Sequence, residues 1–161
     1  IDTVKNLSGA LLTIVGDGSE MSALMQQAES AGVISRCRFT GAVSREQVPP
    51  LIKSMDALVL PSITTEGWAE QFGHVLIEGM AAGKPVIGSR SGVIPEVIGS
   101  DGLLFDEGET RQLAAVLKSL IDDPALVRET GSRGQIAAAS RFSDQALADH
   151  TFEIWQRVMR R

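Results

Sequence analysis

Residues 57–88 read ALVLPSITTEGWAEQFGHVLIEGMAAGKPVIG. The apolar run Ala57–Leu60 ends at a proline and predicts a short buried strand. After a polar, irregular segment, a helix is predicted over Gly73–Ala82, and the glycine that follows ends it. The apolar run Pro85–Gly88 predicts the next strand. A strand, a helix and a second strand in this order indicate a βαβ unit with parallel strands.

The alternation of strands and helices continues on both sides of this unit. On the amino side, Met21, Leu24, Met25 and Ala28 share one face of a predicted helix and are expected to pack into the core. The sequence therefore predicts one domain, residues 1–161, with a mainly parallel, Rossmann-like α/β sheet and helices on both faces. The further strands are expected at Ala10–Val15, Arg38–Thr40 and Gly102–Phe105, and the further helices at Ser19–Ala31, Pro95–Ile98, Thr110–Ile121, Pro124–Ala139 and Ser143–Met159.

Composition argues against several classes of function. The formal net charge is -5 and no basic block is present, so nucleic acid is not an expected partner. The single cysteine, Cys37, cannot form an internal disulfide, which fits a reducing compartment and a cytoplasmic location. Two histidines do not suffice for a His-rich metal cluster. No apolar run approaches the roughly 20 residues that span a bilayer.

Ligands of open parallel sheets bind beyond the carboxyl ends of the strands. Three predicted connections lie at that edge: Gly16–Glu20, Ser62–Phe72 and Gly88–Gly92. The second is the longest and runs directly into the helix that starts near Gly73. The first N–H groups of a helix lack internal acceptors and lie at its positive end, so this helix start is a candidate anion site.

Two carboxylates flank the candidate anion site. Glu70 lies just before the helix and Glu78 lies five residues after Gly73, about 7.5 Å along the axis at 1.5 Å per residue. Like charges repel, so neither is expected to contact a phosphate. Each can accept hydrogen bonds from a vicinal diol, as an acidic residue does for ribose in dinucleotide-binding folds. The arrangement fits a diphosphate with a sugar on one side and a ribose on the other.

The segment EQFGHVLIE, Glu70–Glu78, resembles the E-x7-E motif of glycosyltransferase family 4, a retaining family with two-domain GT-B architecture. The resemblance covers nearly the whole chain. It implies that the chain is the C-terminal, donor-binding half of a GT-B glycosyltransferase. The other matching segments are Val15–Gly18, Phe39–Gly41, Gly79–Ile87, Ser91–Ile98 and Gly102–Phe105.

The resemblance also implies roles for individual residues. Glu70 is the expected catalytic residue, which binds hydroxyls of the donor hexose and stabilises positive charge that develops on the sugar. Backbone N–H groups at Phe72 and Gly73 are expected to contact the sugar–phosphate region. Glu78 is expected to bind the ribose hydroxyls. Retention is ascribed in this family to same-face attack assisted by the leaving diphosphate.

The remaining donor-site residues lie in the first half of the chain and at the helix start. By resemblance, Gly41 and Val43 lie beside the nucleobase and Gly16 lies near the nucleotide. His74 is included in the donor site, with helix capping or packing as its alternative role. Trp155, near the end of the last helix, is expected either to contact a partner domain or to be buried within this one.

One departure from the family pattern affects activity. Family members carry two basic residues in the first strand–loop–helix of this domain. By the resemblance, this basic pair would precede residue 1, and so would the first strand. The acceptor would bind an N-terminal domain, so the isolated chain is expected to be inactive alone. The expected donor is a UDP- or GDP-sugar, with no cofactor and no metal required. The resemblance also leaves open a peripheral contact with a membrane, made by the N-terminal half of the enzyme.

Three alternatives remain beside the transferase. The same fold could serve as a non-catalytic nucleotide-sugar-binding or scaffold module, although the presence of both Glu70 and Glu78 argues against this. A related GT-B enzyme, such as a sugar-nucleotide epimerase, is the second alternative. A glycosidase is disfavoured, because its two carboxylates act about a glycosidic bond without a phosphate site.

Overall fold

The computed structural model describes residues 1–160, in which parallel strands alternate with helices. Its strands are β1 (Leu12–Ile14), β2 (Cys37–Phe39), β3 (Leu58–Leu60), β4 (Val86–Ser89) and β5 (Leu103–Phe105). Its helices are α1 (Asp2–Lys5), α2 (Met21–Ser30), α3 (Val48–Ser54), α4 (His74–Ala81), α5 (Ile94–Ile98), α6 (Thr110–Asp122), α7 (Pro124–Phe142) and α8 (Asp144–Met159).

The strands are parallel but form two sheets rather than the single sheet that the sequence predicts. In one sheet β1 pairs with β2, with Thr13 opposite Arg38. In the other, β4 lies between β3 and β5, with Ile87 opposite both Val59 and Leu103. Within residues 1–160, only β4 is paired at both edges, and β1, β2, β3 and β5 each have one edge without a strand partner.

The three-stranded sheet carries the core, with helices on both faces. All four residues of β4 are buried, as expected for the central strand of a parallel sheet. On one face, Val86 packs with Leu76 and Met80 of α4 and with Ile94 and Ile98 of α5. The opposite face is covered mainly by α6, in a second cluster that contains Ile87, Phe105 and Leu120.

Helix α7 lies against α4 through small residues. Its buried face includes Gly131, Gly134, Ala137 and Ala138. At Gly131 a Cβ atom would overlap the carbonyl oxygen of Gly83, so the backbone of α7 directly contacts the turn that follows α4. This close contact holds α4, and therefore its amino end, against the sheet.

The two-stranded sheet is less well covered than the sequence predicts. Every residue of β1 is only partly buried, and Leu11 beside it is 80% exposed. On α2 the apolar face is buried only at Ala28, while Met25 is 42% exposed, so the predicted core role of Met25 is wrong. An inner strand of a parallel sheet is normally covered on both faces and paired at both edges.

Helix α8 projects an apolar surface away from the core. Ser143 caps its start by accepting a hydrogen bond from Ala146 N–H at 3.2 Å. Trp155 is 70% exposed, so of its two alternatives burial within this domain is not observed. The other large apolar side chains exposed on α8 are Leu147, Phe152, Ile154, Val158 and Met159.

We predict that Gly131→Ala destabilises the fold, because the added methyl overlaps a backbone carbonyl and α7 must move. Overpacking of this kind costs roughly 1–3 kcal/mol, against at most about 1 kcal/mol gained from helix propensity. Gly134→Ala is the matched control in the same helix, since its methyl would lie 3.4 Å from Met80 Cγ. Urea unfolding should give a lower midpoint for Gly131→Ala only. Equal midpoints for both variants would contradict the packing described.

Candidate functional site

The carboxyl ends of β3, β4 and β5 meet at one edge of the three-stranded sheet, and short polar side chains follow each strand. Ser89, at the end of β4, is fully buried, and its hydroxyl donates to the carbonyl of Ser62 at 2.6 Å. Ser62 begins the connection between β3 and α4, residues 61–73, which we call the β3–α4 loop. The end of the central strand therefore fixes where this loop starts.

Glu70 is held inside the β3–α4 loop by three hydrogen bonds. Its carboxylate accepts from the Ser62 hydroxyl at 2.9 Å and from the Gly73 N–H at 3.1 Å. Its backbone carbonyl accepts from Val93 N–H at 3.2 Å. The chain at Gly92 approaches so closely that any Cβ atom there would overlap the Glu70 backbone. The carboxylate is therefore fixed at the amino end of α4.

The amino end of α4 differs in one respect from the sequence prediction. Gly73, in a left-handed conformation with φ of 69°, is the N-cap residue, and its N–H is already satisfied by Glu70. The next two N–H groups, those of His74 and Val75, have no acceptor within residues 1–160. These two groups lie at the positive end of the helix and can accept an anion. The helix therefore starts one residue later than predicted, and the contact of the Phe72 and Gly73 N–H groups with a donor stays a prediction.

Glu78 lies on α4 with its side chain exposed and without a hydrogen-bond partner in the described part of the chain. Residues 70, 74 and 78 are spaced by four, so His74 and Glu78 occupy one side of the helix. The His74 ring packs on Phe72, with ring centroids 4.6 Å apart. Phe72 in turn contacts Phe142 of α7 edge-on, at 6.3 Å. Packing, one of the alternatives for His74, is thus observed.

The other predicted donor-site residues lie together after β1 and β2. Gly16 N–H donates to the Gly41 carbonyl at 3.0 Å, which joins the two connections at the carboxyl ends of these strands. Val43 lines an open cavity of about 530 Å³ beside β2. The structure thus groups the predicted residues in two sets, one after each sheet. The cavity is lined by Arg38, Phe39, Thr40, Ala42, Val43, Gln47, Pro50 and Leu51.

Sequence reasoning missed several residues that build the site. The carboxylate of Glu107, which follows β5, accepts from both the N–H and the hydroxyl of Thr64, each at 2.6 Å. The Thr64 hydroxyl also lies 2.9 Å from that of the fully buried Ser91. These bonds from Thr64, above all from its hydroxyl, lower the pKa of Glu107. Polar residues directly after three neighbouring parallel strands were the signal available in the sequence.

Arg90, for which the sequence suggests no role, lies at the same edge. Its Nε pairs with an Asp106 carboxylate oxygen at 3.2 Å, and both side chains are more than half exposed. The backbone N–H of Arg90 donates to the Phe105 carbonyl at 2.9 Å. The pair links the ends of β4 and β5 but contributes little to stability, as exposed ion pairs generally do.

Residues 1–160 lack two features that other classes of site would need. No three His, Cys, Asp or Glu side chains come together in a group that could hold a metal ion. None of the helices in this part of the chain combines the length and the apolar character needed to cross a membrane.

The chain is similar to known glycosyltransferases. It is 35% identical over 159 residues to the lipopolysaccharide core biosynthesis glycosyltransferase LpsD of Rhizobium meliloti, covering 98% of this chain and 44% of LpsD. The crystal structure of Anabaena HepE with UDP superposes with a TM-score of 0.86 and 27% identity, covering 97% of this chain and 43% of HepE. HepE has also been crystallised with UDP-glucose, and that structure gives a TM-score of 0.84.

The fold is that of a C-terminal domain of GT-B glycosyltransferases. The C-terminal domain of LpcC from Francisella tularensis matches with a TM-score of 0.76 and 24% identity, covering 88% of this chain and 74% of that domain. The chain spans less than half the length of LpsD and HepE. Residues 2–137 match the family described as Glycosyl transferases group 1. On this match, the chain belongs to the glycosyl transferases group 1 family.

Proposed function

We propose that this chain is the donor-binding half of a retaining glycosyltransferase of family 4. In this proposal it transfers a hexose from a UDP- or GDP-sugar to an acceptor bound by an N-terminal domain. The observation that carries the proposal is the position of Glu70, fixed at the amino end of α4 beside the N–H groups of His74 and Val75. Glu78 lies eight residues further along, on the side of α4 that carries His74.

The geometry at α4 suggests how a donor would bind. The diphosphate would accept hydrogen bonds from the His74 and Val75 N–H groups at the positive end of the helix. Glu70 would accept hydrogen bonds from hexose hydroxyls and stabilise the positive charge that develops on the sugar as its bond to the diphosphate breaks. Glu78 would hold the ribose diol. The acceptor would attack from the face that the diphosphate leaves, and the mechanism requires no metal.

The nucleotide would lie near the second set of residues. Gly16 and Gly41 bring two backbone segments together, and Val43 lines the adjacent cavity. Because HepE has been crystallised with UDP and with UDP-glucose, a uridine nucleotide is the first donor to test.

We further propose that sequence outside this chain supplies one more strand and the basic pair that neutralises the diphosphate. Each sheet has free edges, that of β1 among them, and the partial exposure of β1 supports a strand beside it, between the two sheets. The length of LpsD, of which this chain covers 44%, leaves room for such a segment and for an acceptor domain.

The nucleotide site is tested with Glu78→Gln, in the natural polypeptide that contains this chain. Loss of a charged acceptor for the ribose diol should weaken UDP-glucose binding about tenfold, since hydrogen bonds to charged groups contribute about 1.5–3 kcal/mol. Glu29→Gln is the control, because Glu29 is an exposed carboxylate at the far end of α2. Isothermal titration calorimetry gives both affinities. Equal affinities for the two variants would remove Glu78 from the site.

The catalytic role is tested with Glu70→Gln, which keeps the side-chain shape and one acceptor oxygen for Gly73 N–H. We expect kcat to fall about 100-fold or more, the typical effect of losing one electrostatic stabiliser of a transition state. The KM for the donor should change far less. Initial rates with a radiolabelled donor measure both constants. A kcat within a few-fold of wild type would exclude this role.

The strand proposed to lie between the two sheets is tested by amide hydrogen exchange. If upstream sequence inserts between the two sheets, then amides of Leu12–Ile14 and Leu58–Leu60 should exchange more slowly in the longer polypeptide, because edge N–H groups gain acceptors. Amides of β4, already paired on both sides, are the internal reference. Unchanged protection of β1 and β3 would rule out the insertion.

A further inference from the structure

Beyond the bond from Ser89 that fixes its start, the β3–α4 loop is anchored at two places, of which only one contains Glu70. At the other, the carboxylate of Glu107, in the connection after β5, accepts hydrogen bonds from both the N–H and the hydroxyl of Thr64. Between the anchors the chain forms a closed turn, in which Thr65 and Trp68 exchange backbone hydrogen bonds of 2.8 and 3.3 Å. Only Ala69 separates this turn from Glu70, so the turn joins the two anchored places.

The directions of these hydrogen bonds follow from the chemistry of the groups. An ionised carboxylate can only accept, so the single hydroxyl proton of Thr64 is used on Glu107. Ser91 must then donate its own proton to the Thr64 oxygen, at 2.9 Å. The chain runs from Ser91 to Val93, whose N–H donates to the Glu70 carbonyl at 3.2 Å. Glu107, Thr64, Ser91, Val93 and Glu70 therefore form one connected set of contacts.

We propose that Glu107 is a positioning residue for the sugar site. It acts through Thr64 and Ser91 to hold the β3–α4 loop in the conformation that places Glu70 at the amino end of α4. The effect of Glu107 on donor binding rests on the proposed function. The effect of Glu107 on the order of the loop does not depend on it. The Thr64 hydroxyl and then the Thr64 N–H lower the pKa of Glu107. At neutral pH a glutamate is ionised in any case, so the carboxylate is able to accept both bonds.

The fluorescence of Trp68 reports on the order of the loop, because Trp68 lies in the turn and is about half exposed. The chain has two tryptophans, so Trp155→Phe leaves Trp68 as the single emitter. In that background, Glu107→Gln should raise the acrylamide quenching constant of Trp68 about twofold, because the amide group cannot accept both Thr64 hydrogen bonds. Thr64→Val should do the same, whereas Thr64→Ser, which keeps both donors, should behave as wild type.

The matched control is Glu109→Gln, which removes the same charge two residues away, where the carboxylate binds nothing in the described part of the chain. It should leave Trp68 quenching unchanged. Quenching that is the same in Glu107→Gln and in the parent chain would overturn the inference. An equal rise in Glu107→Gln and Glu109→Gln would overturn it as well, since charge alone would then explain the effect.

The consequence for the donor is measured in the natural polypeptide by titration with UDP-glucose. Glu107→Gln should weaken binding about tenfold, because a loosened loop must be ordered when the donor binds, while Glu109→Gln should bind as wild type. Greater quenching with unchanged affinity would show that the loop does not position the sugar site and would overturn that part of the inference. If the unsubstituted polypeptide binds no nucleotide-sugar, the proposed function fails, and the quenching data still decide whether Glu107 holds the loop.

Discussion

The carboxylate of Glu70 lies at the positive end of α4, and the rest of the site is arranged around this charge–dipole contact. Ser62, Gly73 and Val93 each bond to Glu70, and they come from the start of the loop, from the helix cap and from the connection after β4. A residue held by three separate segments, two of which bond to its carboxylate and one to its backbone carbonyl, loses little conformational freedom when a sugar binds. Such pre-organisation makes an electrostatic stabiliser effective, because no reorganisation is needed during the reaction.

The same contact explains why α4 must be held rigidly. Its first free N–H groups belong to His74 and Val75, so any rotation of the helix would move both the anion site and the Glu78 side of the helix. The small residues of α7 allow close packing against α4, and Gln135 of α7 donates to the Ala81 carbonyl at 3.1 Å near the helix end. The core thus supports the site from the helix end opposite to Glu70.

Local patterns predicted much of this arrangement. The βαβ unit follows from the apolar runs before and after α4. The S-x-x-Q spacing of Ser44 and Gln47 is typical of a capping box, and Ser44 N–H donates to Gln47 Oε1 at 2.8 Å. The division into two sheets did not follow from the apolar runs, because an apolar run indicates a strand but not which strand pairs with it. The contact of Glu107 with Thr64 spans 43 residues and depends on strand order, which periodicity does not encode. The exposure of Met25 could not be predicted either, because helical spacing shows which residues share a face but not which element covers that face.

The central claim is that the helix tip of α4 receives the diphosphate while Glu70 remains beside it. Backbone amide NMR of the natural polypeptide, selectively labelled with nitrogen-15 and titrated with UDP and then with UDP-glucose, tests this directly. The account predicts large shifts of the His74 and Val75 amides with both ligands, and a further shift of the Gly73 amide only when the sugar is present. Saturating binding that leaves the amides of residues 73–75 unmoved would contradict it.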